Sequence, residues 1–199
     1  MSGGPTLLLA THNAHKLREF ERLLAAAGGG ALRLEALAPE LELPPEDGET
    51  YAENALGKAR AAARACGRIA IADDSGIAAA ALGGAPGVRS ARFAGEHASD
   101  AENLARLIRE VPAGSELEYV CVIAYVDPDA SLERVFEGRC SGRLAATALG
   151  EGGFGYDPAF LPHDGPPGLT MAQLSDAQKD AISHRGRALR ALLGWLSAG

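Results

Sequence analysis

Two long runs of strand-forming residues, joined by a short turn, place the strongest limit on the fold of this chain. Leu117 to Val126 is rich in Val, Ile and Tyr, Asp127-Pro128-Asp129 provides a turn, and Leu132 to Leu144 is a second long run. Runs of this kind on either side of a turn predict a pair of long neighbouring strands. Long paired strands favour a mixed sheet and argue against a purely parallel, doubly wound one.

Shorter strand and helix patterns alternate elsewhere. Thr6 to Thr11 and Leu32 to Leu37 predict strands, and the apolar spacing between them predicts a helix that starts near Asn13 and ends at Gly28-Gly29-Gly30. Three capping-box motifs, in which Ser or Thr is followed three residues later by Glu or Gln, predict the starts of three more helices. They are Thr50-x-x-Glu53, Ser99-x-x-Glu102 and Ser175-x-x-Gln178. The helix that follows Thr50 is expected to end at Gly67.

The length and charge of the chain limit its class and its partners. The 199 residues can bury one substantial core, so we expect a single domain over residues 1–199, with a flexible tail at residues 1–5. A formal net charge of -7 gives no basic surface for nucleic acid or an anionic membrane. The chain has neither an apolar run of the roughly 20 residues that span a bilayer nor a signal peptide. We therefore expect a cytoplasmic protein with a small-molecule substrate and with no nucleic-acid or membrane partner.

The cysteines do not suggest a metal site or a redox motif. Cys66, Cys121 and Cys140 lie far apart in the sequence and form no CxxC pair. We expect all three to be buried, reduced thiols.

The central stretch from Ile69 to Phe93 carries the strongest signal of chemistry. Ile69 to Ala72 predicts a buried strand, and Asp73-Asp74-Ser75-Gly76 follows where we expect that strand to end. Two carboxylates at the end of a buried strand cost free energy unless they are compensated, and a divalent cation can compensate them. The alternative is that they serve as cap and turn residues without chemistry. Gly83 to Gly87 then predicts tight turns.

The first junction between strand and helix, Thr11 to Lys16, has the composition of a phosphate site. It places a hydroxyl, an amide, free backbone N–H groups and a lysine at a helix N-terminus, which attracts anions. Alternatively, Asn13 is an ordinary N-cap and Lys16 a solvated lysine. Lys58, on the helix after Thr50, could reach the same phosphates, although a lone helical lysine is more often exposed.

Two further segments could bind a planar ring or its polar groups. In Gly152 to Pro158, Phe154 or Tyr156 can offer a flat face, and Asp157 could accept a hydrogen bond from a ring N–H. The alternative is a loop fixed into the core by its aromatic residues. Lys179 and the pair His184-Arg185 are donors that could bind carbonyl or phosphate oxygens, or they could form a solvated basic face.

Taken together, five motifs in this order resemble the inosine triphosphate pyrophosphatase family, and the resemblance runs from about Leu7 to Leu193. The motifs are Thr11-x-Asn13-x-x-Lys16, Asp73-Asp74-Ser75-Gly76, Gly83-Gly84-x-Pro86-Gly87-x-x-Ser90-Ala91-Arg92, Gly152-Gly153-Phe154-Gly155-Tyr156-Asp157-Pro158 and Ser183-His184-Arg185. The resemblance implies hydrolysis of ITP, dITP and XTP to the monophosphate and pyrophosphate, with Mg²⁺ as cofactor. It also implies an α/β fold with a long, mixed, twisted β-sheet flanked by helices, two lobes with a central cleft, and a homodimer.

The resemblance further implies a role for each matching residue. Asp74 would be the general base and a metal ligand, and Glu46 would be the second metal ligand. The substrate contacts that it implies are Thr11, His12, Asn13, Ala14, His15, Lys16, Lys58, Ser75, Phe154, Gly155, Tyr156, Asp157, Lys179, His184 and Arg185. The chain departs from the family at His12, where many members have Gly, and at Arg89, where bacterial members often have Tyr.

Two other functions are compatible with the sequence. One is a triphosphate pyrophosphatase for other modified nucleotides, and the other is a nucleotide-binding module whose acidic pair is structural. If the substrates are ITP, dITP and XTP, as the resemblance implies, donors from His184 or Arg185 would favour a purine with a carbonyl group at position 6 and disfavour adenine. Asp157 is expected to act on the N1 and C2 edge of the base.

Overall fold

The computed structural model describes residues 6–27 and 32–198 of the chain. The strands are β1 (Thr6–Leu9), β2 (Arg33–Ala36), β3 (Ala70–Ala79), β4 (Glu116–Asp127), β5 (Leu132–Leu144) and β6 (Phe160–Pro162). The helices are α1 (Ala14–Ala26), α2 (Tyr51–Cys66), α3 (Asp100–Glu110), α4 (Asp176–Ile182) and α5 (His184–Ala198). The predicted helix end at Gly28-Gly29-Gly30 and the predicted tail at residues 1–5 lie outside the described residues.

The strands form one six-stranded sheet in the order β2-β1-β3-β4-β5-β6. Strand β1 pairs in parallel with β2 and with β3, and Leu8 lies opposite Glu35 on one side and Ala70 on the other. Strand β5 pairs antiparallel with β6. The sheet is therefore mixed, which confirms the fold class expected from the long neighbouring strands β4 and β5.

Strand β3 is longer than the sequence suggested, and the prediction that it ends at the acidic pair was wrong. It continues through the acidic pair to Ala79, and nearly all of its residues are buried. The carboxylates do not end the strand because side chains from two helices compensate them: Asn54 of α2 donates to Asp74, and Lys16 of α1 pairs with Asp73. Asp73 and Asp74 therefore stand within a regular strand and not in a loop.

The helix starts follow the sequence signals closely. Capping boxes are present at Thr50, Ser99 and Ser175, and Gly67 ends α2 in the left-handed conformation with φ +58°. The helix predicted to start at Ser175 is short, because Ser183 adopts an extended backbone after α4, and a separate helix, α5, starts at His184. The Ser183 hydroxyl then accepts a hydrogen bond from the Gly186 N–H at 3.0 Å.

The chain divides into two compact units, and each has its own apolar cluster. The first unit contains the described part of Met1–Asp74 with Val122–Phe136 and Ala191–Gly199, and the second contains Ser75–Cys121 and Glu137–Arg190. In the first unit, alanines of α2 pack with residues of β1, β3 and β4, among them Leu8 and Val122. In the second unit, Ile77, Leu107 and Phe160 belong to a cluster with residues of β4 and β5.

Two further expectations concern the burial of the cysteines and the absence of a membrane-spanning segment. Cys121 and Cys140 are buried, but Cys66 is exposed because it is the last residue of α2, so the expectation of three buried thiols was wrong for Cys66. Over residues 6–27 and 32–198, every helix is too short or too polar to cross a bilayer.

Candidate active site

Asp74 lies in the first unit within a group of three carboxylates, Asp73, Asp74 and Glu46, which we call the acidic cluster. Asp74 is only 3% exposed, and its Oδ2 accepts a hydrogen bond from Nδ2 of Asn54 at 2.9 Å. Burial raises the pKa of the Asp74 carboxyl above its ordinary value, and the charge of Glu46 raises it further, against the opposing effects of Asn54 and the two nearby lysines. A carboxylate with a raised pKa is a stronger base than an ordinary one and is suited to accept a proton.

Asn54 connects Asp74 to the loop that carries Glu46. Its Oδ1 accepts a hydrogen bond from the Gly48 N–H at 2.8 Å, while its Nδ2 donates to Asp74. A Cβ atom at Gly48 would lie 2.6 Å from that same Oδ1, so glycine is required for the close approach. Sequence reasoning missed Asn54, although it lies one helical turn before Lys58 and hence on the same face of α2.

Two lysines compensate the acidic cluster. Nζ of Lys58 contacts Oε1 of Glu46 and donates to the carbonyl oxygen of Asp73 at 2.6 Å. Burial acts to lower the pKa of Lys58, but the charges of Asp73 and Glu46 outweigh it and the pKa is raised. Nζ of Lys16 lies 3.1 Å from Oδ2 of Asp73. Lys58 is 6% exposed, so the reading of it as a solvated surface residue was wrong.

The N-terminus of α1 is capped by its own sequence. Oδ1 of Asn13 accepts hydrogen bonds from the N–H groups of His15 at 2.9 Å and Lys16 at 3.1 Å. These two groups are therefore not free for a phosphate, and that part of the expectation was wrong. The Thr11 hydroxyl accepts from the Asn13 N–H at 3.2 Å.

The remaining residues of this segment are also placed by the structure. Ala14, the first residue of α1, is exposed. His12 is exposed as well, and its Nε2 lies 3.0 Å from the carbonyl oxygen of Leu41. The His12 ring thereby contacts the acidic loop that leads to Glu46.

The donor set of the acidic cluster fits Mg²⁺. The three carboxylates Asp73, Asp74 and Glu46 face two lysines, so these groups together keep a negative charge. No group of three or more His, Cys, Asp or Glu side chains among the described residues is arranged for a metal ion. Mg²⁺ needs no such group, because it prefers oxygen ligands and typically takes one or two carboxylates together with phosphate oxygens and water.

A second polar cluster lies in the second unit around Asp157. This carboxylate is 3% exposed and has three donors: Tyr119 Oη at 3.1 Å on Oδ1, and Lys179 Nζ at 2.7 Å and the Phe154 N–H at 3.0 Å on Oδ2. At Gly153, where φ is +70°, a Cβ atom would lie 2.0 Å from Oδ2 of Asp157. Asp157 therefore holds Lys179 and the loop from Gly152 to Pro158 in place. Its contact with a purine N–H stays a prediction.

Lys179 and Arg185 bring two cations to one aromatic ring. Nζ of Lys179 lies 5.3 Å and the guanidinium carbon of Arg185 5.7 Å from the centre of the Phe154 ring. Arg185 is 1% exposed, and its Nη2 donates to the Ser75 hydroxyl at 2.9 Å. Both cations are buried, so the alternative of a solvated basic face was wrong.

His184 and Tyr156 are held by contacts that the sequence did not predict. The His184 ring stacks on Tyr119 with ring centres 4.5 Å apart and an interplanar angle of 3°. The Tyr156 hydroxyl donates to the carbonyl oxygen of Ser90 at 2.7 Å, and Tyr156 is buried. Phe154, which is only half-buried, is therefore the better candidate for a ring-stacking surface.

Two residues of the second cluster escaped sequence reasoning. Tyr119 donates to Asp157 and stacks on His184, yet it stands in an apolar strand with no local sign of this role. Asp100, the first residue of α3, accepts a hydrogen bond from the Gly155 N–H at 3.0 Å. Its position directly after the Ser99 cap suggested only a helix start.

A mixed α/β fold with an acidic cluster, buried lysines and a second cluster of donors around an aromatic ring is typical of an enzyme that acts on nucleotides. A model of the Ham1 family matches residues 7–195, and the chain belongs to this family.

Known relatives and solved structures agree with this assignment. The dITP/XTP pyrophosphatase of Mycolicibacterium paratuberculosis is 50% identical over 194 residues, which cover 94% of this chain and 93% of the relative. The structure of a HAM1 protein from Coxiella burnetii superposes with a TM-score of 0.83 at 35% identity, covering 98% of this chain and all of that one. The nucleoside-triphosphatase / dITP/XTP pyrophosphatase of Mycobacterium abscessus gives a TM-score of 0.72 at 43% identity, with 96% and 99% covered.

Proposed function

We propose that this protein hydrolyses the deaminated purine nucleoside triphosphates ITP, dITP and XTP to the monophosphate and pyrophosphate. The observation that carries the proposal is Asp74, a buried carboxyl with a raised pKa beside Glu46 and two lysines. Its context is a chain of the Ham1 family that is 50% identical to a dITP/XTP pyrophosphatase.

The acidic cluster and its lysines supply the groups that cleavage of a triphosphate requires. Asp74 orients a water molecule and accepts its proton as the water oxygen bonds to the α-phosphorus. The bond from that phosphorus to the oxygen bridging the α- and β-phosphates breaks, and pyrophosphate leaves with the bond electrons. Lys16 and Lys58 stabilise the negative charge on the phosphates. Asp74 and Glu46 would hold Mg²⁺, which when bound supplies further positive charge to the triphosphate.

The second cluster supplies groups for the base. The half-buried Phe154 ring offers a face for stacking, and Lys179, His184 and Arg185 supply donors. Hypoxanthine and xanthine present a carbonyl oxygen at position 6, which accepts from such donors, whereas adenine presents an amino group. ATP would leave buried donors without an acceptor, and this mismatch disfavours it.

A nucleotide panel tests the function. ITP, dITP, XTP, ATP, GTP and modified pyrimidine triphosphates are incubated with the protein and Mg²⁺, and phosphate is measured with and without added inorganic pyrophosphatase. We expect signal from ITP, dITP and XTP only when the second enzyme is present, because cleavage between the α- and β-phosphates releases pyrophosphate. Phosphate release without that enzyme, or a preference for another nucleotide, would refute the proposal.

The proposal also covers domain organisation, location in the cell and oligomeric state. We propose that the chain acts as one functional domain, that it works in the cytoplasm where the nucleotides are found, and that it forms a homodimer. Light scattering coupled to size exclusion checks the last point against the 20.5 kDa mass of one chain. Removal of Mg²⁺ with EDTA is expected to abolish turnover of ITP.

A further inference from the structure

Asp73 has no part in the mechanism above, although it contacts both of its lysines. The Asp73 side chain is 0% exposed, and its Oδ2 lies 3.1 Å from Nζ of Lys16, whose side chain is 13% exposed. The Asp73 carbonyl oxygen accepts a hydrogen bond from Nζ of Lys58 at 2.6 Å. Asp73 therefore contacts one ammonium group with its carboxylate and a second with its backbone carbonyl oxygen.

The side chains of Asp73 and Asp74 make hydrogen-bond or ion-pair contacts with different residues. Adjacent residues of a strand point to opposite faces, and these two occupy neighbouring positions inside β3. Asp74 contacts Asn54 of α2, whereas the side chain of Asp73 contacts Lys16 of α1. This side-chain contact of Asp73 therefore leads to α1, and that of Asp74 leads to α2.

We propose that Asp73 is a positioning residue that holds Lys16 with its carboxylate and Lys58 with its carbonyl group, and that it is not a metal ligand. The proposal rests on the proposed function, because that function gives the two lysines their role toward the phosphates. A lysine side chain is long and flexible, and a partner that fixes its ammonium group beforehand places positive charge where the reaction needs it. The ion pair with Lys16 also compensates one oxygen, Oδ2, of this fully buried carboxylate.

A double-mutant cycle tests whether Asp73 acts through Lys16. Asp73→Asn removes the charge at nearly constant shape and leaves the carbonyl group for Lys58. We expect it to lower kcat for ITP on the order of 10- to 100-fold in the wild-type background, because Lys16 is no longer held in position. In a Lys16→Met background, we expect the same substitution to change kcat less than about twofold, because its target is gone. An equal fall in both backgrounds would overturn the proposal.

Metal binding provides a second readout that does not depend on turnover. Mn²⁺ is added to the nucleotide-free protein, and its binding is followed by water-proton relaxation. We expect Asp73→Asn to lower the Mn²⁺ affinity by less than about threefold, through the lost negative charge alone, whereas Glu46→Gln and Asp74→Asn, which also remove a ligand, lower it by about tenfold or more. A loss in Asp73→Asn as large as that in Glu46→Gln would make Asp73 a metal ligand and refute the proposal.

Two controls separate other causes. Circular dichroism and Tm report whether each variant folds, and if Asp73→Asn does not, Asp73→Ser replaces it in both experiments. A wild-type protein that binds Mn²⁺ but releases no pyrophosphate from ITP would refute the proposed function alone, and the Mn²⁺ comparison would still test whether Asp73 is a ligand.

Discussion

Replacing Asp74 by Asn should separate activity from stability in this protein. The substitution removes the charge but retains a side-chain oxygen that can accept the hydrogen bond from Nδ2 of Asn54, which is 2.9 Å long in the wild type. Loss of a general base typically lowers the rate about 10²- to 10⁴-fold. We therefore expect kcat for ITP to fall by at least about 10²-fold.

The same substitution should not weaken the fold at neutral pH. Burial and Glu46 raise the pKa of Asp74 in the folded chain, so the folded state binds its proton more tightly than the unfolded state does. Stability consequently falls as pH rises from the unfolded pKa to the folded one, and the full cost remains above both. Each pH unit between the two pKa values costs about 1.4 kcal/mol, and Asp74→Asn removes that cost.

Two measurements on the same samples check this reasoning. Initial rates come from the assay coupled to inorganic pyrophosphatase, and the free energy of unfolding comes from urea titrations between pH 8 and the ordinary carboxyl pKa of 3.8. We expect the Asn variant to be at least as stable as the wild type at pH 8, with an advantage that shrinks as pH falls. Asp47→Asn is the matched control, because it removes an exposed carboxylate from the same loop as Glu46 and should change neither quantity.

Two results would refute the reasoning. Activity of Asp74→Asn within tenfold of the wild type would remove Asp74 from the mechanism. An Asn variant less stable than the wild type by more than about 1 kcal/mol would mean that the carboxylate is a favourable structural partner and not a group held at a cost.

Three further outcomes follow from the described contacts. Glu46→Gln should raise the Mg²⁺ concentration for half-maximal turnover about tenfold or more, measured in a magnesium titration of the initial rate. Asp100→Ala should raise the KM for ITP by about fivefold to tenfold, because the Gly155 N–H loses its acceptor, whereas Asp100→Asn retains an acceptor and should stay near the wild type. Ellman's reagent at pH 8 should react rapidly with one thiol only, the exposed Cys66, since burial raises the pKa of Cys140 to about 11.

Each of these outcomes has a result that contradicts it. A magnesium titration of Glu46→Gln that overlays the wild-type curve would exclude Glu46 as a ligand. Equal KM values for the two Asp100 variants would show that the hydrogen bond to the loop has no effect on substrate binding. Rapid reaction of two or three thiols would show that Cys121 or Cys140 is accessible.

The sequence by itself determined the elements that depend on neighbouring residues. The capping boxes at Thr50, Ser99 and Ser175 and the left-handed Gly67 lie where the sequence predicts them, because a cap is a contact over three or four residues. The mixed sheet was predictable as well, since long strands joined by a short turn leave few other arrangements. The motifs also made Asp74 and Lys16 candidates, because their residue types carry the chemistry, and their roles stay predictions.

Only the tertiary structure decided which partner each polar group has. Lys58 is buried because the Asp73 carbonyl group, 15 residues away, accepts its hydrogen bond, and no local pattern announces that contact. Asp157 and Tyr119 are 38 residues apart and meet only when their strand and loop are assembled. The cost of a buried charge is set by such distant partners, so β3 could continue through the acidic pair where the local sequence predicted an end. Hydrogen bonds between residues close in sequence determine where the helices start and end. Electrostatic contacts and burial that involve residues distant in sequence determine the arrangement of the candidate site.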